Sequence, residues 1–171
     1  ADDGEGRLPD VRQAVADIYR QLGQDGLVTG AAGNVSVRDG PDAMLVTGSG
    51  VAHAIADAAC VVRVTLAGEA EPDAARAPSS EWPMHAAIYL ADPAAGAIVH
   101  THSDACTALA CLNEDLPAFH YMVLSFGGDD VRCAPYVTFG TPALAASAAA
   151  AIAGRSACLL ANHGMIVHAR D

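Results

Sequence analysis

The stretch Ala97-Ile-Val-His-Thr-His102, running into Ser103-Asp-Ala-Cys-Thr-Ala-Leu-Ala-Cys-Leu112, constrains the fold more than any other. Ile98 and Val99 are β-formers behind the punctuating Gly96, so the first part reads as a buried strand. Strand side chains alternate between faces, which places His100 and His102 on one face, two residues apart. Two imidazoles side by side at a strand end can hold one metal ion. Nearby histidines are also, and more often, hydrogen-bonded core or surface groups, so the pair needs support from elsewhere in the chain. Ser103 stands at an N-cap position, and Asp104 falls in the first helical turn, where the dipole favours negative charge. A strand that turns straight into a helix is a rigid platform for a site.

The 171 residues, 52% hydrophobic, are expected to form one domain over 1–171 with a core of its own. No apolar run reaches the length of a membrane span, and the alanine-rich stretch 143–153 is too short for one. The acidic start, Ala1-Asp-Asp-Gly-Glu-Gly6, does not resemble a signal peptide. Five cysteines (Cys60, Cys106, Cys111, Cys133, Cys158) form no CxxC and read as reduced thiols, so a cytoplasmic location is expected. A formal net charge of −11 argues against nucleic acid as a partner. All nine basic residues are Arg, and there is no Lys. That removes Schiff-base catalysis, pyridoxal phosphate attachment and a Walker-type phosphate loop. Carbon–carbon chemistry would therefore need a metal as its electron sink.

In chain order, Pro9 and Asp10 open an amphipathic helix, with Val11, Val15, Ile18 and Leu22 as its apolar stripe and Gly23 and Gly26 at its end. Asn34-Val-Ser-Val-Arg38 and Ala43-Met-Leu-Val-Thr47 form a hairpin pair, and 60–66 a further strand. Thr47-Gly-Ser-Gly50 could bring backbone N–H groups close to an anion, or be an ordinary glycine turn. Asn34 is likewise a turn residue or an amide aimed into a site. Ser79 and Ser80 sit where the N-cap of the next helix belongs, with Glu81 in its first turn and Pro83 following. A helix start with two hydroxyls suits a phosphate, although plain capping would use the same residues. Met84, Ala87 and Ile88 supply that helix's buried stripe, and His85 is expected on the helix surface or behind the site. Thr141 and Pro142 begin an alanine-rich helix ending near Gly154, and 156–161 is a strand. His163, in the turn Asn162-His163-Gly164, is a third candidate ligand; in isolation a turn histidine is usually solvated.

Gly33-Asn34, Thr47-Gly48, Ser79-Ser80-Glu81, His100-Thr-His102 and Asn162-His163-Gly164 occur in the order and rough spacing of the class II aldolase/adducin family. His120-Tyr-Met122, Gly127-Gly128, Cys133-Ala-Pro-Tyr136 and Thr138-Phe-Gly-Thr141 resemble its L-fuculose-phosphate aldolase branch. The resemblance covers about Val11 to Val167. It implies an α/β fold, a three-layer α/β/α domain around a central, largely antiparallel sheet. It implies Zn²⁺ on His100, His102 and His163, with substrate phosphate or enediolate contacts from Asn34, Thr47, Gly48, Ser79 and Ser80. Glu81 matches the general base. Tyr121 matches a tyrosine lent to a neighbouring subunit's site, where it donates a proton, in what are usually cyclic homotetramers with sites between subunits.

The implied reaction is metal-dependent aldol cleavage of a ketose 1-phosphate, such as L-fuculose 1-phosphate, to dihydroxyacetone phosphate and an aldehyde. The same scaffold carries sugar-phosphate epimerases, dehydratases and decarboxylases. The epimerase type has an Asp at the Glu81 position and lacks the His120-Tyr-Met122 segment. The adducin head shares the fold as a non-catalytic interaction module without the zinc ligands. Mn²⁺ and Co²⁺ suit three imidazoles as Zn²⁺ does. Family members continue into further helices and a tail, so a C-terminal segment is expected beyond Asp171.

Overall fold

The computed structural model describes residues 10–170. Its centre is a seven-stranded sheet built from β1 (Asn34–Arg38), β2 (Ala43–Thr47), β3 (Val61–Thr65), β4 (Ala97–Thr101), β7 (Cys133–Ala134), β8 (Ala157–Leu160) and β9 (Gly164–Ala169). The strand order is β3-β2-β1-β4-β9-β8-β7, and only β7 and β8 run parallel. Between β4 and β7 lie a short ribbon, β5 (Leu116–Pro117) with β6 (Asp130–Val131), and a 3₁₀ turn over Tyr121–Phe126.

Period-two alternation sorts the strand side chains into two layers. Met44, Val46, Ile98, Cys158, Leu160 and Ile166 face α2 (Trp82–Ala91) and α4 (Pro142–Ile152). Their in-between neighbours face the other way. Val35 and Leu45 meet α1 (Val11–Gln24), while Ala157 and Leu159 meet α3 (Asp104–Ala110) and the 3₁₀ turn. Helices thus cover both faces, which is the three-layer α/β/α arrangement with a largely antiparallel sheet that the motifs implied. Each large side chain buried this way contributes about 2 kcal/mol. Among the described residues, no helix is long and apolar enough to cross a membrane.

Local signals set the helix ends. The Asp10 carboxylate accepts from Arg12 N–H at 3.0 Å, and Thr141 Oγ1 accepts from Leu144 N–H at 3.2 Å with Pro142 beside it. Pro9 lies outside the described residues. Ser103 takes the expected N-cap position of α3 but makes no capping bond from its side chain.

Two helices differ from expectation. In α1 the buried stripe is Val15, Ala16 and Tyr19, whereas Val11 and Ile18 are about half exposed. Tyr19 turns the helix, because its hydroxyl donates within 3.1 Å of the Ala32 and Val51 carbonyls and must face inward. In α2 the N-cap residue is Glu81 rather than Ser79 or Ser80, and its side chain makes no capping bond. The carboxylate is engaged with other groups instead. Met84, His85, Ala86, Ile88 and Tyr89 are all buried, since α2 is enclosed by the sheet and α4. His85 is therefore fully interior, and Ala87 only partly so.

β3 is an edge strand, and its outer edge is closed within the chain. Arg12 donates to the Val61 carbonyl, Arg63 N–H to Glu71 Oε1 at 3.0 Å, Glu71 N–H back to the Arg63 carbonyl at 3.0 Å, and Thr65 N–H to the Glu69 carbonyl at 2.9 Å. Arg12 and Glu71 are also ion-paired at 2.7 Å.

The rotated stripe of α1 gives a direct test. Val15→Ala should cost about 2 kcal/mol by removing buried methyl groups. Ile18→Ala should stay within about 0.5 kcal/mol of the parent, as a half-exposed position does. Urea unfolding midpoints of the two variants check the contrast; equal losses would contradict it.

Candidate active site

β1, β4 and the start of α2 bring the site together. Asn34 opens β1 directly opposite His100 on β4 in the antiparallel register, so both side chains lean to the α2 face. His102 follows just past the end of β4. His163 arrives from the β8–β9 turn, where Asn162 adopts a left-handed φ of 55°. Gly164 lets that turn close, because a Cβ there would lie 2.3 Å from the Thr101 carbonyl. Glu81 enters from the N-terminus of α2.

The three imidazoles stand nearly perpendicular to one another, with ring centroids 4.7, 4.8 and 4.7 Å apart. One donor atom from each of them and a Glu81 oxygen all lie within 4.8 Å of one another. His100 Nδ1 is 2.7 Å from the Met165 carbonyl and donates to it, so in the neutral ring that a metal ion requires, the lone pair is on His100 Nε2. That Nε2 is 2.9 Å from His102 Nε2 and 3.2 Å from Glu81 Oε2. Glu81 Oε1 lies 3.2 Å from His163 Nε2, yet it is fully buried and has no hydrogen-bond partner. Electron pairs gathered this closely, one on an orphaned buried oxygen, fit a shared divalent cation. Three His nitrogens and a carboxylate are donors suited to zinc and its transition-metal neighbours.

Protonation states agree with that use. Burial pushes Glu81 upward, but the facing His100 and His163 rings outweigh it and hold its carboxyl well below the usual range, so it is ionised. Burial, reinforced by His100 and His163, lowers His102 to about 4. Burial, with His100 adding to it, lowers His85 to about 3. Both rings are neutral near pH 7, as metal ligands or hydrogen-bonding imidazoles must be.

A cavity of about 350 Å³ opens over the cluster, large enough for a small molecule. Of the residues singled out in the sequence, Asn34, Gly48, Ser79, Ser80, Glu81, His102 and His163 line it. His100 lies beneath, fully buried. Thr47 does not line it; its hydroxyl accepts from Val35 N–H inside the fold. Tyr121 is 76% exposed on the 3₁₀ turn and is not among the lining residues. The glycine loop takes the ordinary-turn alternative at its start: Gly48 N–H donates to the Cys60 carbonyl and Ser49 N–H to the Ala77 carbonyl, so neither amide is available to an anion. Hydroxyls of Ser49, Ser79 and Ser80 remain for that role.

The residues missed in the sequence are Tyr136 and Phe139, which form part of the wall, and Asn162, while His85 takes the place behind the site that was one of its two expected positions. The motifs around Tyr136 and Phe139 were visible, but nothing in them marked a wall. His85 Nε2 meets Asn34 Oδ1, a contact across the fold that periodicity cannot reveal.

The sequence model described as the Class II Aldolase and Adducin N-terminal domain matches residues 13–171. The 5-methylthioribulose-1-phosphate/5-deoxyribulose-1-phosphate aldolase of Rhodospirillum rubrum is 47% identical over 160 residues, 94% of this chain and 71% of that protein. The L-fuculose phosphate aldolase of Escherichia coli strain K12 is 41% identical over 152 residues, 89% and 69% of the two chains. A solved structure of an L-fuculose 1-phosphate aldolase superposes with a TM-score of 0.90 at 40% identity, covering 96% of this chain and 77% of its own.

Two outcomes follow from the geometry. His85 and His102 titrate near 3 and 4 when folded, against about 6.5 when unfolded. Below about pH 6.5 the unfolded chain therefore takes up protons that the fold refuses, and stability falls as pH drops toward those values. Metal-free protein should thus have a lower urea midpoint at pH 5 than at pH 7.5, before the ordinary carboxylate range is reached; an unchanged midpoint would contradict the neutral interior rings. Zn²⁺ at about 100 times its Kd should add about 3 kcal/mol to the parent. His163→Ala should lose most of that gain, as read by thermal unfolding with and without the ion.

Proposed function

We infer the activity from one premise: the chain belongs to the class II aldolase and adducin family. It is an aldehyde-lyase of that family, and it cleaves a ketose 1-phosphate to dihydroxyacetone phosphate and an aldehyde. The observation that carries this is the convergence of His100, His102, His163 and Glu81 at the floor of a cavity walled by Asn34, Ser79 and Ser80. The three histidines hold the metal, Zn²⁺ in the first instance. The ion, when bound, acts as a Lewis acid that withdraws electron density from the substrate's oxygens and supplies the electron sink that a chain without lysine in this sequence otherwise lacks.

The chain's own groups do the rest. The Ser79 and Ser80 hydroxyls, with the Ser49 hydroxyl and the Asn34 amide nearby, receive the phosphate half of the substrate, while Gly48 shapes the wall with its own N–H already engaged. Thr47 supports this wall from within, since its carbonyl accepts from Ser79 N–H at 2.9 Å. Glu81 transfers the proton at carbon: it takes one from the three-carbon fragment during condensation and returns it after cleavage. Its ionised state makes it an acceptor, and it lines the cavity that would hold the substrate.

Tyr121 serves the site of a second copy by donating a proton to the aldehyde oxygen during condensation. Its exposure supports this, together with that of its neighbours Phe119, Met122 and Leu124, an apolar group suited to covering by another subunit of a homotetramer. Five unpaired cysteines suit the reducing cytoplasm.

The names of the Rhodospirillum rubrum aldolase and of the solved L-fuculose 1-phosphate aldolase share a 1-phosphorylated sugar and differ in the rest of that sugar, the half that leaves as the aldehyde. Tyr136, Val137 and Phe139 form the wall available to that half. A panel of L-fuculose 1-phosphate, 5-deoxyribulose 1-phosphate and 5-methylthioribulose 1-phosphate, with ribulose 5-phosphate as the epimerase control, tests the assignment by product analysis. Dihydroxyacetone phosphate should form from at least one ketose 1-phosphate and require the metal. Glu81→Gln should keep the metal and lose about 10²–10⁴-fold in kcat. Its full turnover would remove Glu81 as the base, and epimerised ribulose 5-phosphate alone would replace the aldolase assignment.

A further inference from the structure

Behind Asn34 runs a line of buried polar groups that the proposed reaction does not itself use. Glu81 Oε2 accepts from Asn34 Nδ2 at 2.9 Å, and Asn34 Oδ1 meets His85 Nε2. On the ring's other side His85 Nδ1 lies 2.7 Å from Ser36 Oγ, which is 2.9 Å from the Tyr89 hydroxyl. Ser36 and His85 are 0% exposed, Tyr89 1% and Asn34 3%, so water does not complete these bonds.

The donor and acceptor chemistry lets this line run one way only. Asn34 turns its NH₂ to Glu81 Oε2 and its carbonyl oxygen to His85 Nε2. That carbonyl needs a donor, so His85 carries its proton on Nε2. Nδ1 is then an acceptor, filled by the Ser36 hydroxyl, whose oxygen accepts from Tyr89. Burial keeps both ends in this state: it takes the His85 imidazole down to about 3 and the Tyr89 phenol up to about 12, so neither changes charge near neutrality. Without the ring, the Asn34 amide is open to a half-turn that would set its carbonyl against the carboxylate.

We propose that His85, held as its Nε2–H tautomer by Ser36 and Tyr89, is a positioning residue that acts through Asn34 to fix the Glu81 carboxylate beside the histidine cluster. The kinetic consequence rests on Glu81 as the proton-transferring group; the tautomer does not.

Nitrogen-15 NMR of the imidazole rings in histidine-labelled, metal-free protein reads the tautomer directly, with the His85 signals identified by their loss in His85→Gln. The expected result is a protonated Nε2 and a bare Nδ1 at pH 7, retained at pH 5. A proton on Nδ1, or a charged ring, overturns the relay. In metal-loaded enzyme His85→Leu should lose about tenfold in kcat with metal content unchanged, as for one buried hydrogen bond. His85→Gln, whose amide still donates toward Asn34, should recover most of that loss. Parental kcat in the folded His85→Leu protein, or no recovery in His85→Gln, overturns the positioning role. Full turnover in Glu81→Gln would instead remove the base on which that role rests, an outcome the NMR spectra cannot mimic.

Discussion

An ionised carboxylate inside a protein is costly unless its charge is answered, and Glu81, 7% exposed, is such a group. Asn34 answers one oxygen with a hydrogen bond, and the ring nitrogens of His100 and His163 face the pair at 3.2 Å. The other oxygen has no hydrogen-bond partner. The rest of the architecture follows from holding these groups together. β1 and β4 must pair in the register that sets Asn34 opposite His100. α2 must begin at Glu81, and the β8–β9 turn must present His163 through the unusual backbone of Asn162. Three imidazoles and a carboxylate gathered in one buried spot form a donor set that could hold a divalent cation.

The parts of this arrangement legible in the sequence are those with a short period or an order along the chain. His100 and His102 share a face because a strand repeats every two residues, and Ile98 fixes that face as the α2 side of the sheet. His163 and Glu81 were joined to them only by motif order, since no local spacing links residues so far apart. What remained hidden depends on partners distant in sequence. Glu81 looked like a first-turn residue because helix-start statistics cannot see that its carboxylate is engaged by Asn34, 47 positions earlier. His85 stays undecided between the helix surface and a place behind the site for the same reason: its partners Ser36 and Asn34 lie 49 and 51 positions away. The stripe of α1 was misplaced because Tyr19 turns inward for two carbonyls that no helical wheel contains.

The glycine loop teaches a related point. Glycine at 48 reads naturally as an opening for a ligand, yet a Cβ there would sit 2.8 Å from the Cys60 carbonyl, and the Gly48 amide already donates to that oxygen. The residue serves close approach of two backbone segments, leaving polar recognition in this part of the wall to serine hydroxyls. With no arginine or lysine among the cavity's lining residues, an anionic guest would rely on hydroxyl dipoles and on whatever positive charge the histidine cluster holds.

The sealed margin of β3 carries a consequence for how copies of the molecule meet. Arg12, Glu69 and Glu71 occupy its outward-facing donors and acceptors, so that side offers no unpaired ladder on which a foreign strand could dock. Continuous sheets extending from one molecule to the next, with their hazard of open-ended aggregation, are therefore blocked at this border by side chains and a loop of the chain itself.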